Sequence, residues 1–184
     1  MDTQKHFTGL DFTVRHGEPE IQDPRIQHFF NYWLSLRKEE SIPFKADVDP
    51  IDIPECLPYV WIYHFLSEED NFMCDLAGED INQTWNKSLR GCMISDIYEL
   101  EHWRALRSRW LYALAHKAGL YCCVAQVGKI EAFERIALPL LDKDGQCTVI
   151  FGMTIYGNDG FRYSEYKPGI HEHDVTFYDL NTRD

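Results

Sequence analysis

The spacing of apolar residues predicts two amphipathic helices. The first begins at Asp23-Pro24, where an acidic N-cap precedes a proline at the first helical position, and it runs toward residue 38. The second covers residues 101–118, and Gly119 is expected to form its left-handed C-terminal cap. Between residues 79 and 100 the apolar pattern is broken, which favours short helices. The apolar face of the first helix consists of Ile26, Phe29, Phe30 and Trp33.

Five further segments are rich in β-branched and aromatic residues and are bounded by turn signals, which is typical of strands. They are Tyr59–Leu66, Phe72–Ala77, Tyr121–Val127, Ile130–Leu141 and Cys147–Tyr156. Two strands, a helical block and three strands predict an α/β fold of the α+β kind. Its core would be a five-stranded antiparallel sheet with helices on one face, plus the N-terminal amphipathic helix.

The same pattern divides the chain into four parts. Residues 1–22 are expected to be a flexible N-terminal arm, and residues 23–45 contain the N-terminal amphipathic helix. Residues 46–156 would form the domain itself, and residues 157–184, which are polar and lack clear periodicity, would form a C-terminal extension.

Charge and composition narrow the functional classes. The formal net charge is −12, so phosphate backbones and anionic lipid surfaces should repel the chain, and neither nucleic acid nor membrane is an expected partner. No apolar run approaches the ~20 residues of a membrane-spanning helix, and the N-terminus lacks the apolar stretch of a secretory signal. We therefore expect a cytoplasmic protein whose six cysteines are reduced.

Several short motifs occur in a fixed order along the chain. They are Tyr32-Trp33, Leu36-Arg37, Pro43, residues 47–53, Leu57-Pro58, residues 76–78, Gly91 and residues 138–140. With these motifs the chain resembles, over roughly residues 29–156, a bacterial family of stand-alone PAS-like proteins that was long listed as a domain of unknown function. The resemblance implies a PAS fold, a signalling context and self-association, usually with no assigned ligand.

A PAS fold implies a hydrophobic cavity between the sheet and the helix at 101–118, in which small molecules are held. Strand alternation sends Trp61 and Tyr63 to one side and Val60 and Ile62 to the other. The alternative is that the aromatic rings simply fill the core. Whether Arg135 points into the cavity stays open. The candidate lining residues are Trp61, Leu76, Trp85, Trp103, Leu106, Trp110, Tyr121 and Arg135.

No cofactor, metal site or catalytic centre is predicted. His102 and His116 share a helix face that differs from the tryptophan face, so they are expected to look outward, which disfavours haem. Cys92 lacks the surrounding signature of flavin-binding PAS domains. His171 and His173 could share a strand face, but histidines in polar tails are usually solvated. The sequence also has none of the common nucleophile, phosphate-loop or zinc-protease motifs.

Together these observations predict a single-domain PAS-type sensory module that binds a small hydrophobic molecule or relays a signal by protein–protein contact. The partner would be an unknown signalling protein. A homodimer is also expected, formed through the apolar face of the first helix, because so apolar a face should not stay in water. The alternative function is a ligand-free adaptor with the same fold, and a small enzyme is the weakest possibility.

Overall fold

The computed structural model describes residues 13–39, 41–127, 130–156 and 175–180. Three short 3-10 turns, at Lys45–Asp47, Pro50–Asp52 and Pro54–Tyr59, connect the first helix to the second strand. The regular elements, in chain order, are β1 Thr13–His16, α1 Pro24–Ser35, β2 Val60–Leu66, β3 Asn71–Ala77, α2 Glu79–Trp85, α3 Ile94–Ile97, α4 Leu100–His116, β4 Ala118–Val127, β5 Ile130–Leu141, β6 Cys147–Tyr156 and β7 Val175–Asp179.

The strands form one sheet in the order β1-β7-β4-β5-β6-β2-β3, with antiparallel pairing except between β1 and β7. The predicted fold class and all five predicted strands are confirmed. The predicted count of five is wrong, because β1 and β7 extend the sheet beyond β4. All four residues of β1 are exposed, so this strand carries no apolar pattern and depends on pairing with β7.

Alternation along the strands divides the core into two layers, as the sequence predicted for β2. Trp61 and Tyr63 belong to a cluster that packs against α4, whereas Val60 and Ile62 belong to a second cluster on the opposite face. The helices therefore cover both faces of the sheet, with α4 on one face and α1 on the other. Helices α2–α4 lie together on one face of the sheet, as predicted. Helix α1 on the other face completes a three-layer arrangement.

The predicted N-terminus of α1 is confirmed, since Asp23 is the N-cap and its carboxylate accepts the Arg25 backbone N–H at 2.8 Å. The apolar face, however, is covered by the chain's own sheet. Phe29 packs edge-on against Phe151 with ring centroids 4.5 Å apart, and Trp33 Nε1 donates to the carbonyl of Pro139 at 3.1 Å.

The predicted dimer interface is therefore wrong, because this apolar face does not lie on the surface of the folded chain. The side chains of Ile26, Phe29, Phe30 and Trp33 are each at most 1% exposed within one copy of the chain. Helical periodicity shows that a face is apolar but does not show what covers it.

The end of α4 also differs from the prediction. Lys117 adopts the left-handed conformation and its N–H reaches the carbonyls of Ala113 and Leu114, so it takes the cap position expected for Gly119. Gly119 instead lies in β4, which begins at Ala118. In the part of the chain that the structure describes, no helix combines the length and apolarity needed to cross a membrane.

Candidate ligand-binding cavity

A small cavity lies between the α4-facing side of the sheet and helices α2–α4. Its volume is about 10 Å³, which is close to the least room that one water molecule needs. Three tryptophans and three tyrosines form most of its wall. The lining residues are Trp61, Tyr63, Ile81, Trp85, Leu89, Tyr98, Trp110, Arg135, Thr154 and Tyr156.

Trp61 occupies its place because its cross-strand partner has no side chain. Trp61 on β2 lies opposite Gly152 on β6, and a Cβ at Gly152 would fall 2.2 Å from the Trp61 ring. The indole therefore lies over Gly152 on β6 and reaches Thr154, two residues along the strand. There its Nε1 donates to the Thr154 hydroxyl oxygen at 2.9 Å, inside the core.

Arg135 points into the cavity, which answers the question that the sequence left open. It is the cross-strand partner of Thr154, and its Nε donates to the Thr154 hydroxyl oxygen at 3.1 Å. Its guanidinium carbon lies 5.0 Å from the centre of the Phe133 ring, and only 9% of the residue is exposed. A permanent cation is thus held in an aromatic wall.

Trp110 on α4 forms the wall opposite the sheet. Its ring stacks on Trp61 with centroids 5.2 Å apart and tilts against Tyr63 at 4.9 Å. Trp110 is only 2% exposed, and no residue that the structure describes accepts a hydrogen bond from its Nε1. Leaving a buried N–H without an acceptor costs about 1–3 kcal/mol, so this group is an unusual feature of the wall.

The outer wall is less buried. Trp85, the last residue of α2, and Tyr98, which follows α3, are both half-buried and pack edge to face with ring centroids 4.9 Å apart. Tyr98 also packs edge-on against His102 at 4.6 Å. His102 is buried, so the expectation that it looks outward is wrong, whereas His116 is exposed as expected.

The electrostatics of the cavity favour neutral phenols beside one cation. Burial raises the pKa of Tyr63 well above its usual value, and burial also raises that of Tyr156, against the opposing effect of Arg135. The Asp80 carboxylate on α2 contributes to the upward shift of the Tyr156 pKa. No residue among those described along the wall carries a carboxylate or an amide, and the indoles and the guanidinium can only donate hydrogen bonds.

The eight predicted lining residues meet different outcomes. Trp61, Trp85, Trp110 and Arg135 line the cavity. Trp103 and Leu106 pack in the same apolar cluster without lining it. Leu76 is 42% exposed on the edge strand, and Tyr121 lies in the cluster on the opposite face, so both are wrong as cavity residues.

Sequence reasoning missed the lining residues on β6. Thr154 is 1% exposed and organises the polar end of the cavity, and Tyr156 follows two residues later on the same side of the strand. A usable signal was present, because one hydroxyl stands within the apolar run Ile150–Ile155. Such a residue must find partners when it is buried, which marks it as a polar contact point.

Next to Arg135 along β5, Glu134 points to the opposite face of the sheet, where it meets Tyr121. Its carboxylate accepts the backbone N–H groups of Gln22 at 2.9 Å and Asp23 at 2.8 Å, and the Tyr121 hydroxyl at 2.9 Å. These two N–H groups stand at the start of α1. Glu134 therefore fastens the beginning of α1 to the central strand of the sheet.

Among the described residues, no three or more His, Cys, Asp or Glu side chains lie close enough together to hold a metal ion. His171 and His173 lie outside the described residues. All six cysteines are free thiols. Burial raises the pKa of the Cys56, Cys74 and Cys147 thiols to about 11.

Comparison with known proteins identifies a family. The family model described as a PAS domain matches residues 21–155, which include α1, the strands β2 to β5, nearly all of β6 and nine of the ten residues that line the cavity. No curated protein matches the chain. No solved structure matches it either.

Proposed function

The chain belongs to the PAS domain family, and we propose from this that it is a sensory module that binds a small molecule in the aromatic cavity and signals by contact with another protein. The observation that carries the proposal is the polar end of the cavity. Arg135 and Thr154 meet there inside a wall of rings, and Trp110 adds a buried N–H for which the described residues provide no acceptor. Apolar pockets with a few convergent polar groups are the usual form of a ligand site.

A route from the cavity to the other face supports the signalling part of the proposal. Arg135 and Glu134 are neighbours on β5, so a ligand that shifts the β5 backbone at Arg135 also shifts Glu134. Glu134 holds the N–H groups that precede α1. Occupancy of the cavity would in this way alter how firmly α1 is fastened, and with it the surface that a partner meets.

We propose a binding role without catalysis. Tyr63 and Tyr156 have raised pKa values because they are buried, so both stay protonated near neutral pH. Arg135 keeps its proton at any physiological pH. The described wall therefore offers no group that would accept a proton from a substrate, as a general base must. The partner we propose is a separate cytoplasmic signalling protein.

Native mass spectrometry of the protein as purified from cells tests the proposal, together with a thermal-shift screen of small organic molecules. A bound mass that disappears on denaturation, or a screen compound that raises the melting temperature, supports sensing. A clean apo mass together with a screen without stabilisation contradicts it. The matched control is the Arg135→Gln variant, in which stabilisation by a cavity ligand should shrink while non-specific stabilisation persists.

A ligand-free adaptor is the second candidate, and the cavity volume of about 10 Å³ favours it. In that case the rings serve as core packing and the interaction surface lies elsewhere. A second copy of the chain would also have to use a surface other than the apolar face of α1, which is buried. Size-exclusion chromatography with light scattering measures that self-association, and a strict monomer at high concentration removes the homodimer.

A further inference from the structure

The polar groups of the cavity differ from those of an ordinary apolar pocket, because four of them can only donate hydrogen bonds and none can only accept. The donor-only groups are the indoles of Trp61, Trp85 and Trp110 and the guanidinium of Arg135, whereas the hydroxyls of Thr154 and of the three tyrosines both donate and accept. Trp61 and Arg135 both donate to the same acceptor, the Thr154 hydroxyl oxygen, at 2.9 and 3.1 Å. Because the Thr154 oxygen accepts both of these hydrogen bonds, its own hydroxyl proton can donate to a third group. Trp110 Nε1 is a further buried donor, with no acceptor in the described part of the chain.

This excess of donor-only groups indicates which kind of ligand would suit the cavity. A ligand that satisfies Thr154 and Trp110 must bring acceptor atoms, and Arg135 favours acceptors that carry negative charge. The rest of the wall consists of rings and of Ile81 and Leu89, which suit an apolar body. A carboxylate group on a short hydrocarbon body combines the two properties.

We infer that the cavity binds a small organic carboxylate, with its charged oxygens at the polar end formed by Arg135, Thr154 and Trp110 and its hydrocarbon body among the rings. The inference rests on the proposed sensory function and gives its ligand a chemical class.

The volume of about 10 Å³ limits the ligand and requires the wall to move. A body of a few carbons needs more room than one water molecule. The residues that can yield are Trp85 and Tyr98, because they are half-buried and lie at the C-terminal ends of the short helices α2 and α3. Trp61 and Trp110, in contrast, are stacked deep in the core. Asp80 lies near Tyr156 and its charge opposes an anion, so we expect millimolar rather than nanomolar affinity.

The test is isothermal titration calorimetry and thermal shift with acetate, butanoate and hexanoate as the probes, each against sodium chloride at the same ionic strength. Butanamide and 1-butanol are the neutral controls for the body of butanoate. We expect at least one carboxylate to bind and to raise the melting temperature, with the neutral analogues weaker by about tenfold or more. Absence of binding by all three carboxylates, or equal binding of butanamide, overturns the inference.

Two cavity variants and one control complete the experiment. Arg135→Gln should weaken carboxylate binding by about tenfold to hundredfold, and Arg90→Gln, the same change at an exposed arginine, should leave it unchanged. Trp110→Phe keeps an aromatic ring and removes an N–H that no described residue accepts, so it should fold even where Arg135→Gln does not. It should weaken binding by about tenfold, and full affinity in folded Trp110→Phe contradicts the assigned contact.

These outcomes distinguish a wrong ligand class from a wrong sensory function. If the carboxylates fail but the protein carries another bound mass from cells, the ligand class is wrong and the sensory function stands. If the carboxylates fail and the purified protein is also free of bound mass and of any thermal-shift hit, both fail and the adaptor is favoured.

Discussion

Gly152→Ala is the sharpest test of how the cavity is built. The new Cβ would fall 2.2 Å from Cη2 and Cζ2 of Trp61, whereas ordinary contact begins at 3.4 Å, so the indole must retreat by roughly 1.2 Å. Trp61 cannot retreat freely, since it is stacked on Trp110 and hydrogen-bonded to Thr154 at 2.9 Å. The substitution therefore both overpacks the core and strains a buried hydrogen bond.

The magnitude follows from these two effects and one opposing effect. Overpacking a core costs about 1–3 kcal/mol, and a lost hydrogen bond costs about 1 kcal/mol. Replacing glycine by alanine recovers about 0.4–1 kcal/mol through the unfolded chain. We expect a net loss of about 1–3 kcal/mol in the free energy of unfolding, which for a chain of this size lowers the melting temperature by about 3–10 °C.

Urea unfolding and thermal melts measure this loss, and Gly119→Ala is the matched control. Gly119 is also in a strand, but its Cβ would meet the Leu138 Cδ2 methyl group at 3.1 Å, a contact that a small side-chain shift relieves. Gly119→Ala should therefore cost less than Gly152→Ala. In a Trp61→Phe background the ring atoms that clash are gone, and the cost of Gly152→Ala should fall sharply. Equal stability of wild type and Gly152→Ala would refute the account of how Trp61 is placed.

Three more outcomes are expected. Phe29→Ala should lower the free energy of unfolding by about 3–5 kcal/mol in denaturant titrations, because it empties a buried site, and a folded variant that only changes oligomeric state in light scattering would contradict this. Glu134→Gln removes the charge from three hydrogen bonds and replaces one of the two acceptor oxygens by an NH2 donor, so it should cost about 2–4 kcal/mol in urea unfolding. Tyr121→Phe removes only the hydroxyl that donates to Glu134 and should cost about 1 kcal/mol by the same measurement. The Arg25 side chain lowers the pKa of Asp23 below 3.8, so its charge stabilises the fold above about pH 4 and this contribution disappears as the pH falls through the lowered pKa. Asp23→Asn, which still caps a helix, should therefore be less stable than wild type at pH 7, and the gap between the two melting temperatures should close on acidification; a gap independent of pH would count against the ion pair.

Local pattern determined a large part of this protein. The alternation in β2 assigned Trp61 and Val60 to opposite layers, and the Asp23-Pro24 pair located the start of α1, because side-chain direction and helix capping depend on a few neighbouring residues. Helical spacing also identified Trp110 as a cavity residue, whereas the direction of Arg135 stayed open until the structure placed it in the cavity wall. These features are encoded within one turn of helix or a few residues of strand.

Tertiary structure decided what covers each face. The apolar face of α1 meets the sheet of its own chain, and β1 has no pattern of its own and exists only because β7 is beside it. Thr154 becomes a cavity residue because β5 brings Arg135 opposite to it and Gly152 lets an indole cross the strand. Periodicity shows which side of a helix or strand is apolar. The element that packs against that side, and the size of any cavity between the two, depend on residues far away in the chain.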